Sequence, residues 1–167
     1  MALIPLAIIT YFLKKFLFAI ALSVCLILVS CSHKENPDKA FISAQVVRVV
    51  SGQTIEVIIP QKSSQPQKVR MIGIDVPKME DEQWSDRAKQ RLEKLLTDNQ
   101  VNLELESDQL DRYDRLLAHV WHQDTLIGEQ LAKEGYVVAN AKYLHRYSDR
   151  IFHAQEYARI LGYGIWQ

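Results

Sequence analysis

The chain has no excess charge of either sign: 20 Lys and Arg stand against 20 Asp and Glu in 167 residues, a formal net charge of zero. It therefore lacks the basic bias of a high-affinity nucleic-acid binder, and any polyanion would have to be gripped locally. Cysteine is scarce, with Cys25 and Cys31 the only two. Acidic residues are missing altogether from Met1 to Ser30. No internal repeat or low-complexity tract is evident, which excludes solenoids and arrays.

What the first 30 residues do contain is Lys14-Lys15 followed by an uncharged apolar run, Phe16 to Val29, ending in small and polar residues. This is the shape of a secretory signal, whose apolar region is too short for a comfortable membrane span. Leu28-Val29-Ser30-Cys31 resembles a bacterial lipobox, in which the chain is cut before the cysteine and that cysteine carries the lipid. The competing reading is an uncleaved anchor helix. The apolar stretch Met1 to Leu13 is unusual ahead of the charged pair, and fits either a start further downstream or a long signal.

Cleavage before Cys31 leaves a mature chain whose one cysteine is lipidated, so no disulfide can form within it. It would also leave 18 basic residues against 20 acidic ones. The expected organisation is a signal over 1–30, a tether over 31–40 that is polar and carries Pro37, and one folded domain over 41–167. Its expected place is the cell envelope, as a monomer held to a membrane by the lipid and facing away from the cytoplasm. The leaflet stays open.

From Phe41 onward the pattern is one of short strands and turns. Ser43 to Val50 alternates and is β-branched, Ser51-Gly52 is a turn, and Thr54 to Ile59 is a second strand. Gln61 to Gln67 reads as a polar loop with Pro66, and Lys68 to Ile74 as a third strand. Trp84, Ala88, Leu92, Leu95 and Leu96 recur at helical spacing, which predicts an amphipathic helix over Glu82 to Thr97. Val101 to Glu106 and Leu116 to His122 are strand-like, and helices follow over Leu126 to Glu134 and Asp149 to Leu161, stopped by Gly135 and Gly162. Five strands, one helix inserted after the third and helices at the end predict an α+β fold: a closed five-stranded barrel of the oligonucleotide-binding (OB) type with about three helices.

Two segments carry the chemistry. Arg70-Met71-Ile72-Gly73-Ile74-Asp75-Val76-Pro77-Lys78 places an arginine and an aspartate around the end of an apolar strand, and Asp111-Arg112-Tyr113-Asp114-Arg115 brings a second arginine in another turn. Together with Val46 to Ile55 and the late Gly162-Tyr163-Gly164-Ile165-Trp166, in this order, they are similar to the staphylococcal nuclease family over roughly Ser43 to Gln167. The resemblance implies a barrel that cleaves DNA or RNA with one Ca²⁺, held by two aspartates and a backbone carbonyl, with a glutamate as general base and two arginines on the scissile phosphate. Calcium is a hard ion that wants carboxylate oxygens, and guanidinium forks match phosphate oxygens.

Carried onto this chain, the resemblance implies Arg70 and Arg115 on the phosphate, Asp75 as a metal ligand and the Val76 carbonyl as another. Asp111 and Tyr113 belong to the loop that positions Arg115. The departures are specific: Ser51 and Gln53 stand where the family has two acids, and Lys78 stands where it has the base. A Gln53 carbonyl can ligate calcium but brings no charge, so binding should be much weaker. Loss of a general base removes a factor of about 10²–10⁴ in rate. Glu80, Asp81 or Glu82 could supply a base from a shifted loop, although carboxylates ahead of a helix more often serve its N-terminus. The activity is thus expected to be weakened or lost, with a binding module for nucleic acid, nucleotide or protein as the alternative.

Other residues carry competing readings. Arg70 and Arg115 can instead pair internally with Asp75 or Asp111. Asp114 suits a left-handed turn position. His119 and His122 should point to opposite faces of one strand, and His145 and His153 lack partners at ligand spacing. Tyr136, Tyr143 and Tyr147, with Lys142 and Arg146, either stack on bases or pack the last helix.

Overall fold

The computed structural model describes residues 41–77, 83–142 and 144–167, and side chains throughout these except at 107–109. The first 40 residues, Lys78 to Glu82 and Tyr143 lie outside them, and with them the readings of Cys31, Lys78, Glu80, Asp81, Glu82 and Tyr143.

Strand β1, Phe41–Ser51, is long because it serves two partners. Its first half pairs antiparallel with β5, Gln100–Leu110, from Phe41↔Glu104 to Gln45↔Gln100. Its second half pairs with β2, Thr54–Ile59, from Gln45↔Ile58 to Ser51↔Thr54. Register shifts at Val46/Arg48 and Val49/Ser51 bend the strand, as a bulge does when one extra residue is left unpaired. The turn Gly52-Gln53 needs its glycine, since a Cβ there would come within 2.5 Å of Ala88 Cβ on the first helix.

Strand β3, Ser63–Met71, pairs antiparallel with β2, and its last residues pair in parallel with β6, Leu116–His122, at Val69↔Leu116, Arg70↔Leu117 and Met71↔Ala118. That pairing closes the order β3-β2-β1-β5-β6 into a five-stranded barrel. Alternation fills it: Ile55, Val57, Val69, Met71, Leu103, Ala118 and Val120 are all at most 1% exposed. The expected loop Gln61 to Gln67 is partly strand instead, because Ser63 to Gln67 is carried along the edge of β2 with its side chains mostly exposed. Pro66 is tolerated at such an edge, where its missing N–H costs no ladder bond.

Helix α1, Gln83–Leu95, buries Ala88 and Leu92 against the barrel, and full burial of a leucine stabilises by about 1.5–3 kcal/mol. A bidentate pair from Arg91 to Glu134, 2.5 and 2.7 Å, ties it to the segment after helix α2, Ile127–Lys133. The last helix, α3, is Ser148–Leu161. As expected, Gly135 and Gly162 end the two later helices with positive φ, and in each case the next residue's N–H reaches back five positions, Tyr136 to Leu131 O and Tyr163 to Ala158 O. Three two-residue strands escaped the sequence pattern: β4, Ile74–Asp75; β7, Thr125–Leu126, which extends β6; and β8, Val138–Ala139, which pairs with β4.

Candidate active site

The site forms where β3 turns into β4. Gly73 makes that turn at φ +81°, and a Cβ on it would drive into the His145 imidazole, so the position excludes other residues twice over. The Arg70 side chain curls around the turn it precedes. Its Nη1 donates to Met71 O and its Nη2 to Ile74 O at 2.7 Å and to Asp75 Oδ1. The second Asp75 oxygen, Oδ2, accepts from Asn140 Nδ2 at 2.6 Å, and the β4–β8 pairing is what delivers Asn140 there. Both carboxylate oxygens therefore have partners within the protein.

Gln53 reaches across from the β1–β2 turn, and its Oε1 accepts the Val76 N–H at 2.6 Å. Its own N–H leans on Ser51 Oγ at 3.4 Å. The Gln53 amide thus serves as a strut between two loops.

Arg115 is held by its own turn. Asp111 Oδ2 accepts from Arg115 Nε and Nη2 at 2.8 and 2.6 Å, while Asp111 Oδ1 accepts the backbone N–H groups of Tyr113 and Arg115 at 2.9 and 3.1 Å. Asp114 sits at φ +58°, the left-handed geometry expected of it. The Tyr113 ring is exposed, with the guanidinium carbons of Arg112 and Arg115 at 4.8 and 5.0 Å from its centre. Burial would raise the Asp111 carboxyl, yet the bonds from Arg115 and the two backbone N–H groups hold it below its usual value. Burial pulls Arg70 below its ordinary value, opposed by Asp75 and reinforced by nearby Arg115, although a guanidinium stays charged throughout. The two arginines are thus close enough to repel, and each is offset by its own aspartate.

A family model described as staphylococcal nuclease homologue matches residues 68–167. The chain is 36% identical over 130 residues to a thermonuclease of Staphylococcus hyicus, covering 73% of this chain and 74% of the relative. It is 34% identical over 142 residues to a thermonuclease of Staphylococcus intermedius, covering 80% and 82%. An uncharacterized endonuclease of Haemophilus influenzae is 30% identical over 154 residues, covering 92% and 79%. The chain belongs to the staphylococcal nuclease family. Its barrel and the order of its motifs follow from that membership.

Members of the staphylococcal nuclease family are generally calcium-dependent, and the described residues do not fit a tightly held Ca²⁺. The ion takes six to eight oxygens with carboxylates among them. Here Gln53, Asp75 and Val76 present one carboxylate, already shared by Arg70 and Asn140, and an amide oxygen already bonded to Val76 N–H.

Of the remaining candidates, Tyr147 is buried, 5.4 Å from Trp121 and 4.8 Å from His119 between ring centres, with its hydroxyl donating to Glu104 Oε2 at 2.7 Å. Tyr136 is half-buried against the core, so these two tyrosines pack. His119 is buried on the outer face of the barrel against the rings of His145 and Tyr147, and His122, on the other face of β6, is half-buried beside Asp98 at 2.9 Å, the opposite faces expected. The reading of His145 is corrected: its ring lies 4.8 Å from that of His119, because the chain between β8 and α3 folds back over β6. Burial lowers the pKa of both histidines, Glu106 opposing it. Sequence reasoning also missed Asn140 and the buried Glu104, which accepts from Trp121, Arg146 and Tyr147.

Proposed function

We propose that this protein grips phosphodiester backbones of nucleic acid through Arg70 and Arg115 and hydrolyses them weakly or not at all, as a lipoprotein held to the envelope by Cys31. The observation that carries the reading is the double engagement of Asp75 by Arg70 and Asn140, with Gln53 spent on Val76 N–H. Arg115 gives one N–H from Nε and one from Nη2 to Asp111, which leaves the rest of its five donors to face a phosphate. Asp111 holds that fork in place, so little rotamer freedom is lost when an anion arrives. By the resemblance in sequence, Lys78 stands where the family has its general base, and a protonated lysine cannot take a proton from water. The alternating pairs Arg70–Asp75 and Arg115–Asp111 leave the site nearly neutral, in keeping with modest affinity and a shallow dependence on salt, since few phosphates are neutralised.

A second reading has support from the relatives, which are named thermonuclease and endonuclease. In it hydrolysis is kept, with Glu80, Asp81 or Glu82 as the base. Fluorescence anisotropy of a labelled single-stranded oligonucleotide tests the grip. The full chain should bind, and Arg115→Ala should weaken binding at least tenfold; equal binding by the variant would sink the assignment.

A further inference from the structure

Apart from the phosphate arginines, the outer face of the barrel carries a second group of chemistry-bearing side chains. Glu106 on β5, His119 on β6 and His145 ahead of α3 each offer one donor atom, and these atoms all lie within 4.8 Å of one another. His119 Nε2 is 2.9 Å from Glu106 Oε2. The His119 ring is 2% exposed, and its Nδ1 is buried without a hydrogen-bond partner.

A neutral imidazole has one N–H and one lone pair, and His119 is unsatisfied with either tautomer. If Nε2 carries the proton and donates to Glu106, the Nδ1 lone pair is buried bare. If Nδ1 carries it, two lone pairs face each other across the 2.9 Å gap to Glu106. A cation between Nε2 and the carboxylate removes that repulsion and leaves the proton on Nδ1, which still has no protein partner.

We propose that Glu106, His119 and His145 form a site for a borderline divalent metal of the zinc type, distinct from the phosphate-binding arginines. Two imidazoles and one carboxylate are the donor set such ions favour over calcium, and three protein ligands leave a position for water. Ligands at about 2.0–2.2 Å in a tetrahedron stand about 3.4 Å apart, so Glu106 must open slightly and His145 must close. Both are free to do so: the Glu106 side chain is exposed and His145 is only half-buried on a loop, while buried His119 is the fixed point. His145 gives up at most a long 3.2 Å contact from Tyr147 N–H to its Nδ1.

The ion does not do the hydrolysis. His119 lies on β6 four residues after Arg115, which precedes the strand, about 13 Å at 3.3 Å per extended residue. Its effect is on the turn, because the His145 ring fills the space over Gly73, and Gly73 O accepts Asn140 N–H at 2.8 Å beside the Arg70–Asp75 pair. A metal that fixes His145 therefore braces the segment that carries the phosphate-binding arginine.

The test uses the full chain in mild detergent, stripped with chelator and titrated with Co²⁺. One equivalent should bind with the visible d–d bands of a four- or five-coordinate site, be displaced by one equivalent of Zn²⁺ and persist in millimolar Ca²⁺. His145→Gln and Glu106→Gln should each weaken Co²⁺ binding at least tenfold, with His122→Gln and His153→Gln unchanged; both effective substitutions lie outside the buried core and keep the fold measurable by circular dichroism. Zn²⁺ should raise the Tm of the unaltered chain and not that of His145→Gln. No stoichiometric Co²⁺ binding, binding unchanged in both His145→Gln and Glu106→Gln, or binding lost only when Cys25 or Cys31 is replaced by serine would each overturn the proposal.

Discussion

Asp111→Ala is the most exacting perturbation of the Asp111–Arg115 loop, because one carboxylate accepts four donors. Two come from the Arg115 guanidinium at 2.8 and 2.6 Å and two from backbone N–H groups at 2.9 and 3.1 Å. A hydrogen bond to a charged group contributes about 1.5–3 kcal/mol net when its partners are desolvated. The pair is only partly withdrawn from solvent, with side chains 16% and 22% exposed, so water recovers part of each loss. The net cost should be about 2–4 kcal/mol, a fall in Tm of roughly 10 °C for a domain of this size. Arg115→Ala removes the ion pair but leaves the carboxylate on both backbone N–H groups, so it should cost about half as much.

The pH dependence has a definite sign. Asp111 is depressed in the folded state, so its contribution is complete above the unfolded value near 3.8 and is lost as pH falls through the lower folded value. The difference between the unaltered chain and Asp111→Ala should therefore be constant at neutral pH and shrink below about pH 4. Urea unfolding followed by tryptophan fluorescence measures all three proteins. If Arg115→Ala costs as much as Asp111→Ala, the backbone turn contributes nothing and the reasoning fails.

Gly73→Ala should destabilise by more than the roughly 1–3 kcal/mol of a strained positive φ, because its methyl also meets the His145 ring; thermal melting checks this, and a loss under about 0.5 kcal/mol would contradict it. Glu104→Ala removes the acceptor of Trp121, Arg146 and Tyr147 and should cost about 3 kcal/mol, measurable by urea unfolding. Gln53→Asp combined with Lys78→Glu installs the residue types that the resemblance implies at those positions, and cleavage of single-stranded DNA should appear or rise sharply; an inert double variant would count against the mapped site. Cys31→Ser should abolish incorporation of labelled fatty acid in a bacterial host, and retained label would refute lipidation at that residue.

Much of the barrel was legible because its elements carry their own periodicity. β2 and β6 fall where alternation put them, and α1 spans Gln83–Leu95 against an expected Glu82 to Thr97. The parallel closure of β3 on β6 has no local signal, and only the order of motifs implied it. β8 could not be read at all, since two residues define no period, and the expected strand Lys68 to Ile74 is instead broken at Gly73 into β3 and β4. Asn140 meets Asp75 across 65 positions for that reason. The arginine loops were legible as motifs, whereas the pairing of Arg70 with Asp75 and of Arg115 with Asp111 depends on where those carboxylates point, which spacing alone does not show. The histidines were judged by spacing within single elements, which handled His119 and His122 correctly and missed His145, brought to His119 by the fold-back before α3.

The central claim is a phosphate grip with impaired hydrolysis, and cleavage of single-stranded DNA by the full chain in millimolar Ca²⁺, with and without chelator, tests it most directly. The account predicts turnover at least about 10²-fold below that of a staphylococcal thermonuclease assayed alongside, with oligonucleotide binding that depends on Arg115. Rapid calcium-dependent cleavage, abolished both by chelation and by Arg115→Ala, would contradict it.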